Sequence, residues 1–226
     1  MGSVGLLYVG AVLLVNGLSL LGLVGARDAV PINLFVGGLQ VLTPTYLVFT
    51  AGGDPDAVLS AAGLYLFGFT YLYVALGTLL KLDGTGLGWF SAFVAACALV
   101  YSGLNFTRFD DPAFGVIWLM WAFLWFLFFL LLARGRTALA RWTGAVAAVQ
   151  GITTGAVPAF MLLTGTWAEH TTTAAVVLAV VAVVAFAGTY PLTRRPVPPT
   201  APGGPSPGDP PGSTHPPVPP KERRHA

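Results

Sequence analysis

Charge is what this sequence has least of. Charged residues make up 9% of the chain and hydrophobic residues 55%, whereas a soluble globular domain carries roughly 25% charged residues. Water is therefore not its main solvent. The net charge of +2 is too small to argue for a nucleic acid partner. Cysteine is nearly absent. Cys97 stands alone in an apolar run, so it can form neither an internal disulfide nor a cysteine metal cluster. Histidine occurs only at His170, His215 and His225, outside the apolar runs. No basic residue precedes the first apolar run, which is long enough to span a bilayer itself, so a cleavable signal peptide is not expected.

What is present is a series of seven apolar runs, at residues 3–24, 31–51, 57–80, 87–107, 112–133, 142–165 and 172–192. Each can cross roughly 30 Å of hydrocarbon at about 1.5 Å per residue. The breaks hold nearly all the charge before the tail, and its distribution predicts an orientation. Arg27, Lys81, Arg134, Arg136 and Arg141 fall in the first, third and fifth breaks, and Arg194, Arg195, Lys221, Arg223 and Arg224 follow the seventh run. With seven spans, every one of the eleven basic residues except Arg108 lies on one side. The other side holds Asp54, Asp56, Asp110, Asp111 and Glu169. The N-terminus is expected outside and the C-terminal tail in the cytoplasm of a multi-pass cell-membrane protein. Residues 196–226 are too rich in proline and glycine to pack a core, and read as a disordered cytoplasmic tail.

The spans themselves contain no Asp, Glu, Lys, Arg or His well inside them. Intramembrane ionisable groups mark proton relays and ion sites, so an ion-coupled pump is disfavoured. A retinal Schiff-base lysine and the usual buried haem histidines are missing too. No nucleophile–base pair, phosphate loop or metal-spaced cluster occurs. The chain is not expected to be an enzyme or to carry a cofactor or metal.

Uncharged polar and aromatic side chains remain, and helical spacing groups them. At 100° per residue, Trp118, Trp121 and Trp125 share an arc of about 60°. Val9, Leu13 and Asn16 share another, as do Phe67, Tyr71 and Val74. Gln150 has Thr153 and Thr154 one turn on. The plainer alternatives are an interfacial belt or simple packing for the tryptophans, and inter-helix hydrogen bonding for Asn16 and Gln150. Gly37 and Gly38 suit close helix contact, and Pro44 and Pro158 suit bends. Gly5-Leu6-Leu7-Tyr8-Val9-Gly10 echoes Gly63-Leu64-Tyr65-Leu66-Phe67-Gly68, a hint of repeated hairpins.

Several segments in register carry a resemblance. They are Leu6-Leu7-Tyr8-Val9-Gly10 through Asn16-Gly17, Asn33-Leu34-Phe35-Val36-Gly37-Gly38-Leu39, Leu66-Phe67-Gly68-Phe69-Thr70-Tyr71-Leu72-Tyr73, Gly88-Trp89-Phe90-Ser91, Trp118-Leu119-Met120-Trp121-Ala122-Phe123-Leu124-Trp125, and Gly151-Ile152-Thr153-Thr154 followed by Val157-Pro158-Ala159. Together, over about residues 3 to 165, they resemble the AmiS/UreI family of amide transporters and proton-gated urea channels. The resemblance implies six-helix protomers, each with its own pore, in a hexameric ring. It implies an outer constriction at Val9, Leu13 and Trp118 and an inner one at Phe67, Tyr71, Trp121 and Trp125. The expected organisation is a six-helix channel domain over 1–167, an added transmembrane helix over 168–195 and the tail over 196–226.

Three departures qualify that expectation. Gln150 stands where the urea channels place a glutamate. The outer loops 52–56 and 108–111 contain no histidine, so pH gating is not expected. The seventh span and the tail lie outside the six-helix pattern. Asn16, Tyr71, Gln150 and Thr153 can supply donors and acceptors to a neutral amide, whose unreplaced hydrogen bonds would cost roughly 2–7 kcal/mol. The expected function is passive passage of urea or a short-chain amide through an all-α bundle in the bilayer. The alternative is a membrane anchor whose tail recruits a cytoplasmic amidase or urease.

Overall fold

The computed structural model describes residues 2–193; the expectations for the Pro-rich tail fall outside the described residues. The described residues form an all-α bundle with seven helices long and apolar enough to cross a membrane. In chain order they are α1 (Gly2–Leu20), α2 (Val30–Thr50), α3 (Pro55–Leu80), α4 (Thr85–Thr107) and α5 (Pro112–Leu132). A broken rod of α6 (Ala140–Gln150), a π-helical segment (Gly151–Ala156) and α7 (Val157–Leu163) follows, then α8 (Thr171–Thr193).

Local chemistry sets several boundaries. Asp54 caps α3 by accepting from the Asp56 N–H, and Asp111 caps α5 by accepting from the Phe114 N–H at 2.9 Å. In both, proline takes the first helical position, where its missing N–H costs nothing. The first span is shorter than the apolar run, which extends to residue 24. The helix stops at Leu20 because Gly22 turns left-handed, at φ +83°. The sixth rod starts earlier than the apolar run, with a short 3₁₀ turn at Thr137–Leu139. Pro158 accounts for the π segment before it. It has no N–H for the Thr154 carbonyl, so the helix widens there instead of closing its usual bonds.

Neighbour contacts close six helices into a ring: α1 on α2, α2 on α3, α3 on α4, α4 on α5, α5 on α6, and α6 with its π segment back on α1. Glycine makes that last closure tight. A Cβ on Gly10 would stand 2.5 Å from the Gly151 carbonyl oxygen and 2.7 Å from the Ala156 nitrogen. The α1–α2 seam is held by a reciprocal amide pair. Asn16 Nδ2 donates to Asn33 Oδ1 at 2.9 Å, and Asn33 Nδ2 donates to Asn16 Oδ1 at 2.7 Å. α8 lies outside the ring, against α5 and α6.

The echo between the first and third spans is part of a threefold pattern. Val9, Phe67 and Trp121 hold matching places on α1, α3 and α5, as do Leu13, Tyr71 and Trp125; all six are buried. The even-numbered helices match too. Asn33, Ser91 and Thr143 correspond, and so do Val36, Val94 and Val146; all six are buried.

Candidate functional site

The odd-numbered helices of the ring meet through side chains, and the space between them is organised in layers. At the end bearing Asp54, Asp56, Asp110 and Asp111, here the acidic end, a cavity of about 530 Å³ reaches inward to Leu6, Leu64, Trp118 and Trp121. At the opposite, basic end a cavity of about 330 Å³ reaches inward to Leu13, Tyr71, Thr70 and Trp125. The two share no lining residue, and neither lining contains a charged side chain. The threefold pattern continues down their walls. Leu6, Leu64 and Trp118 line the acidic-end cavity; Asn16, Val74 and Phe128 line the basic-end one, followed by Leu20, Thr78 and Leu132.

Between the cavities lies one tight layer. Phe67 is its hub, with ring centroids 4.7 Å from Trp121, 5.1 Å from Trp125 and 5.6 Å from Trp118. The Trp121 and Trp125 contacts are edge-to-face, the arrangement the ring quadrupoles favour. Val9 completes the layer from α1. Phe67 at 2% exposure and Val9 at 1% line neither cavity, so the layer separates the two.

The indoles are held from behind. Trp121 Nε1 donates to Thr154 Oγ1 at 3.0 Å, and Trp125 Nε1 donates to Thr70 Oγ1 at 3.3 Å. Each threonine passes its own hydroxyl proton back to the carbonyl one turn earlier, Gln150 or Leu66. Trp118 stacks on Tyr101 at 4.6 Å, and Tyr101 Oη donates to the Leu59 carbonyl at 2.7 Å. Gln150 donates from Nε2 to the Met120 carbonyl at 2.9 Å. Two polar atoms in this region have no hydrogen-bond partner among the described residues and are fully buried: Tyr71 Oη and Gln150 Oε1.

The structure thus brings together seven of the ten residues that spacing and resemblance singled out: Val9, Leu13, Phe67, Tyr71, Trp118, Trp121 and Trp125. Gln150 is buried against α5 but lines neither cavity. Asn16 reaches the basic-end cavity wall, but its amide is engaged with Asn33. Thr153 is turned away. It faces a separate groove between α7 and α8, and its hydroxyl bonds the Val149 carbonyl. Its neighbour Thr154 is the one that meets Trp121. Thr70 was missed. Its signal is its place three residues from Phe67, on the same helical face.

The sequence pattern described as the AmiS/UreI family transporter matches residues 1–166. The chain belongs to the AmiS/UreI family. A protein of Mycolicibacterium smegmatis named for transport of amidate substrates is 55% identical over 195 residues, covering 86% of this chain and 91% of its own. The AmiS2 transporter protein of Rhodococcus erythropolis is 60% identical, over 77% of this chain and 84% of its own. The urea channel of Helicobacter pylori, solved in its closed state by electron cryomicroscopy, superposes with a TM-score of 0.67 at 31% identity, over 73% of this chain and 98% of that one. These AmiS/UreI relatives are transporters and channels, and the family match ends before α8.

Proposed function

We propose that the path between the two cavities, across the Phe67 layer, carries small neutral amides or urea through the bilayer by passive diffusion. The observation that carries this reading is the layer itself. It stands between two uncharged cavities opening toward opposite ends, and the same region holds a buried hydroxyl, Tyr71 Oη, and a buried amide oxygen, Gln150 Oε1, with unused hydrogen-bonding capacity. A neutral amide offers the complements: its carbonyl accepts from Tyr71 Oη–H, and its N–H donates to Gln150 Oε1. Replacing lost hydration in this way offsets the roughly 2–7 kcal/mol cost of stripping such a group. The flat solute slides along indole faces that Thr70 and Thr154 keep from rotating. Two sites of modest strength favour release as well as entry.

The reading extends to selectivity, direction and assembly. No counter-charge lines the path, so ions are excluded, since a charge at the bilayer centre costs at least about 2.5–3.5 kcal/mol on insertion scales. With Gln150 uncharged and no carboxylate, histidine, lysine or arginine in either lining, flux does not depend on pH between about 5 and 7.5. The basic end, with Arg27, Lys81, Arg134, Arg136 and Arg141, faces the cytoplasm by the positive-inside bias. The hexameric ring belongs to this reading as well, with 1–167 as the channel unit and the helix over 168–195 as an addition to it. The mass of the protein in detergent reads out that assembly.

Light-scattering flux of acetamide and urea into proteoliposomes tests the reading, measured from external pH 5 to 7.5. Flux well above that of empty liposomes, flat with pH, is expected. Folded protein that passes neither solute would end the proposal.

A further inference from the structure

α8 and the connection leading into it lie beyond the family match, which ends at residue 166, yet they grip the helix that carries Trp118, Trp121 and Trp125. The first grip is at the acidic end. Trp167 is buried, its Nε1 donates to Asp111 Oδ2 at 2.8 Å, and its ring lies 5.1 Å from Phe114. The other oxygen of Asp111 caps the first turn of α5. One carboxylate therefore ties the start of α5 to the α7–α8 connection.

The second grip is nearer the basic end, on the back of α5. Phe123 lies on the side of α5 away from Trp121. Phe186 of α8 stacks on it at 4.8 Å and 20°. The Phe186 carbonyl accepts from Trp142 Nε1 of α6 at 3.1 Å, and the Trp142 ring meets Phe123 edge-on at 5.6 Å. α8 thereby clamps α5 to α6.

α4 and α6 flank α5 in the ring, its inner side faces two cavities and one tightly packed layer, and α8 stands behind it, so its distance from that layer is set from the flanks and from behind. Close packing resists movement; open space does not. We infer that Trp167 and Phe186 form an external brace that sets the distance of α5 from α1 and α3, and with it the size of solute that crosses the Phe67 layer. The inference rests on the proposed passage of small amides. Trp167 and Phe186 are positioning residues in this account, since neither touches the path.

The test compares butyramide with acetamide flux through full-length protein in proteoliposomes. Phe186→Ala removes the ring behind Phe123, so the butyramide-to-acetamide flux ratio should rise by about threefold to tenfold, the span that loss of one aromatic pair allows. Trp167→Phe, which lacks the indole N–H, should shift the ratio the same way. Phe186→Tyr keeps the ring and should keep the wild-type ratio, as should Val183→Ala on the outward face of α8. Where Phe186→Ala does not fold, Trp142→Phe carries the same prediction, because it removes the bond to the Phe186 carbonyl and trims the indole that meets Phe123 and Tyr190, while Phe186 itself stays in place. A wild-type ratio in folded, conducting Phe186→Ala and Trp167→Phe proteins would overturn the brace and leave the channel reading intact. A wild-type protein that conducts neither amide would overturn both.

Discussion

α5 and α8 are about equally apolar over their bilayer-length stretches, but more than half of that stretch is buried inside the protein in α5 and only about a tenth in α8. Hydropathy reports that a helix belongs in a membrane and says nothing about what it faces there. The difference lies in residue type and spacing. α5 places tryptophans at 118, 121 and 125 on one face and aliphatic and phenyl groups around the rest, so most of it finds partners and only a strip with Leu119 and Phe126 stays exposed. α8 is built on valine and alanine, with Val176, Val180, Val183 and Val184 exposed and a narrow contact strip that includes Leu178 and Phe186. One helix is a wall of the bundle interior; the other is an attachment to its outside.

That contrast can be tested, starting with the largest effect. The double substitution Trp121→Ala, Trp125→Ala removes two of the three indoles around Phe67. Flux of bulky amides should rise by roughly an order of magnitude while selectivity between amides falls. That corresponds to a barrier change of about 1.4 kcal/mol, and light scattering with a graded amide series reads it. Gly10→Ala should act on the ring rather than on the path. Its new Cβ meets backbone atoms of Gly151 and Ala156, which cannot swing aside, so overpacking of about 1–3 kcal/mol should lower the unfolding temperature in detergent.

Gln150→Leu sharpens the comparison within the interior. It removes the free Oε1 together with the Nε2 bond to the Met120 carbonyl while keeping side-chain volume, so acetamide flux should fall several-fold and the unfolding temperature slightly. The lost hydrogen bond is worth about 0.5–1.5 kcal/mol. The smallest effect belongs to the outside of α8. Val184→Ala, at a position 66% exposed, should leave both unfolding temperature and flux unchanged within error.

Much of this architecture was legible in the sequence because membrane spans and helical faces depend on local pattern. Seven apolar runs marked the seven helices, and 100° spacing put Trp118, Trp121 and Trp125 on one face before any partner was known. What stayed hidden depended on distant partners or on departures from ideal geometry. For Asn16 the sequence offers both a solute contact and an inter-helix bond, and only the position of Asn33, on another helix, decides between them. Thr153 and Thr154 are adjacent, and the π segment decides which of them faces Trp121. The threefold pattern showed only as the paired glycines of α1 and α3, because α5 has Ile117 and Ala122 at the places of Gly63 and Gly68. The clamp between α8 and Phe123 had no signal, since aromatic contacts across three helices leave no period in any one of them.

The most direct test of an uncharged path is to change charge at nearly constant size. Proteoliposomes containing the wild-type protein should be challenged with acetamide and with acetate at a pH where acetate is fully ionised. The account predicts acetamide flux well above the liposome background and acetate flux no different from it. Equal passage of both, or of neither, would contradict it.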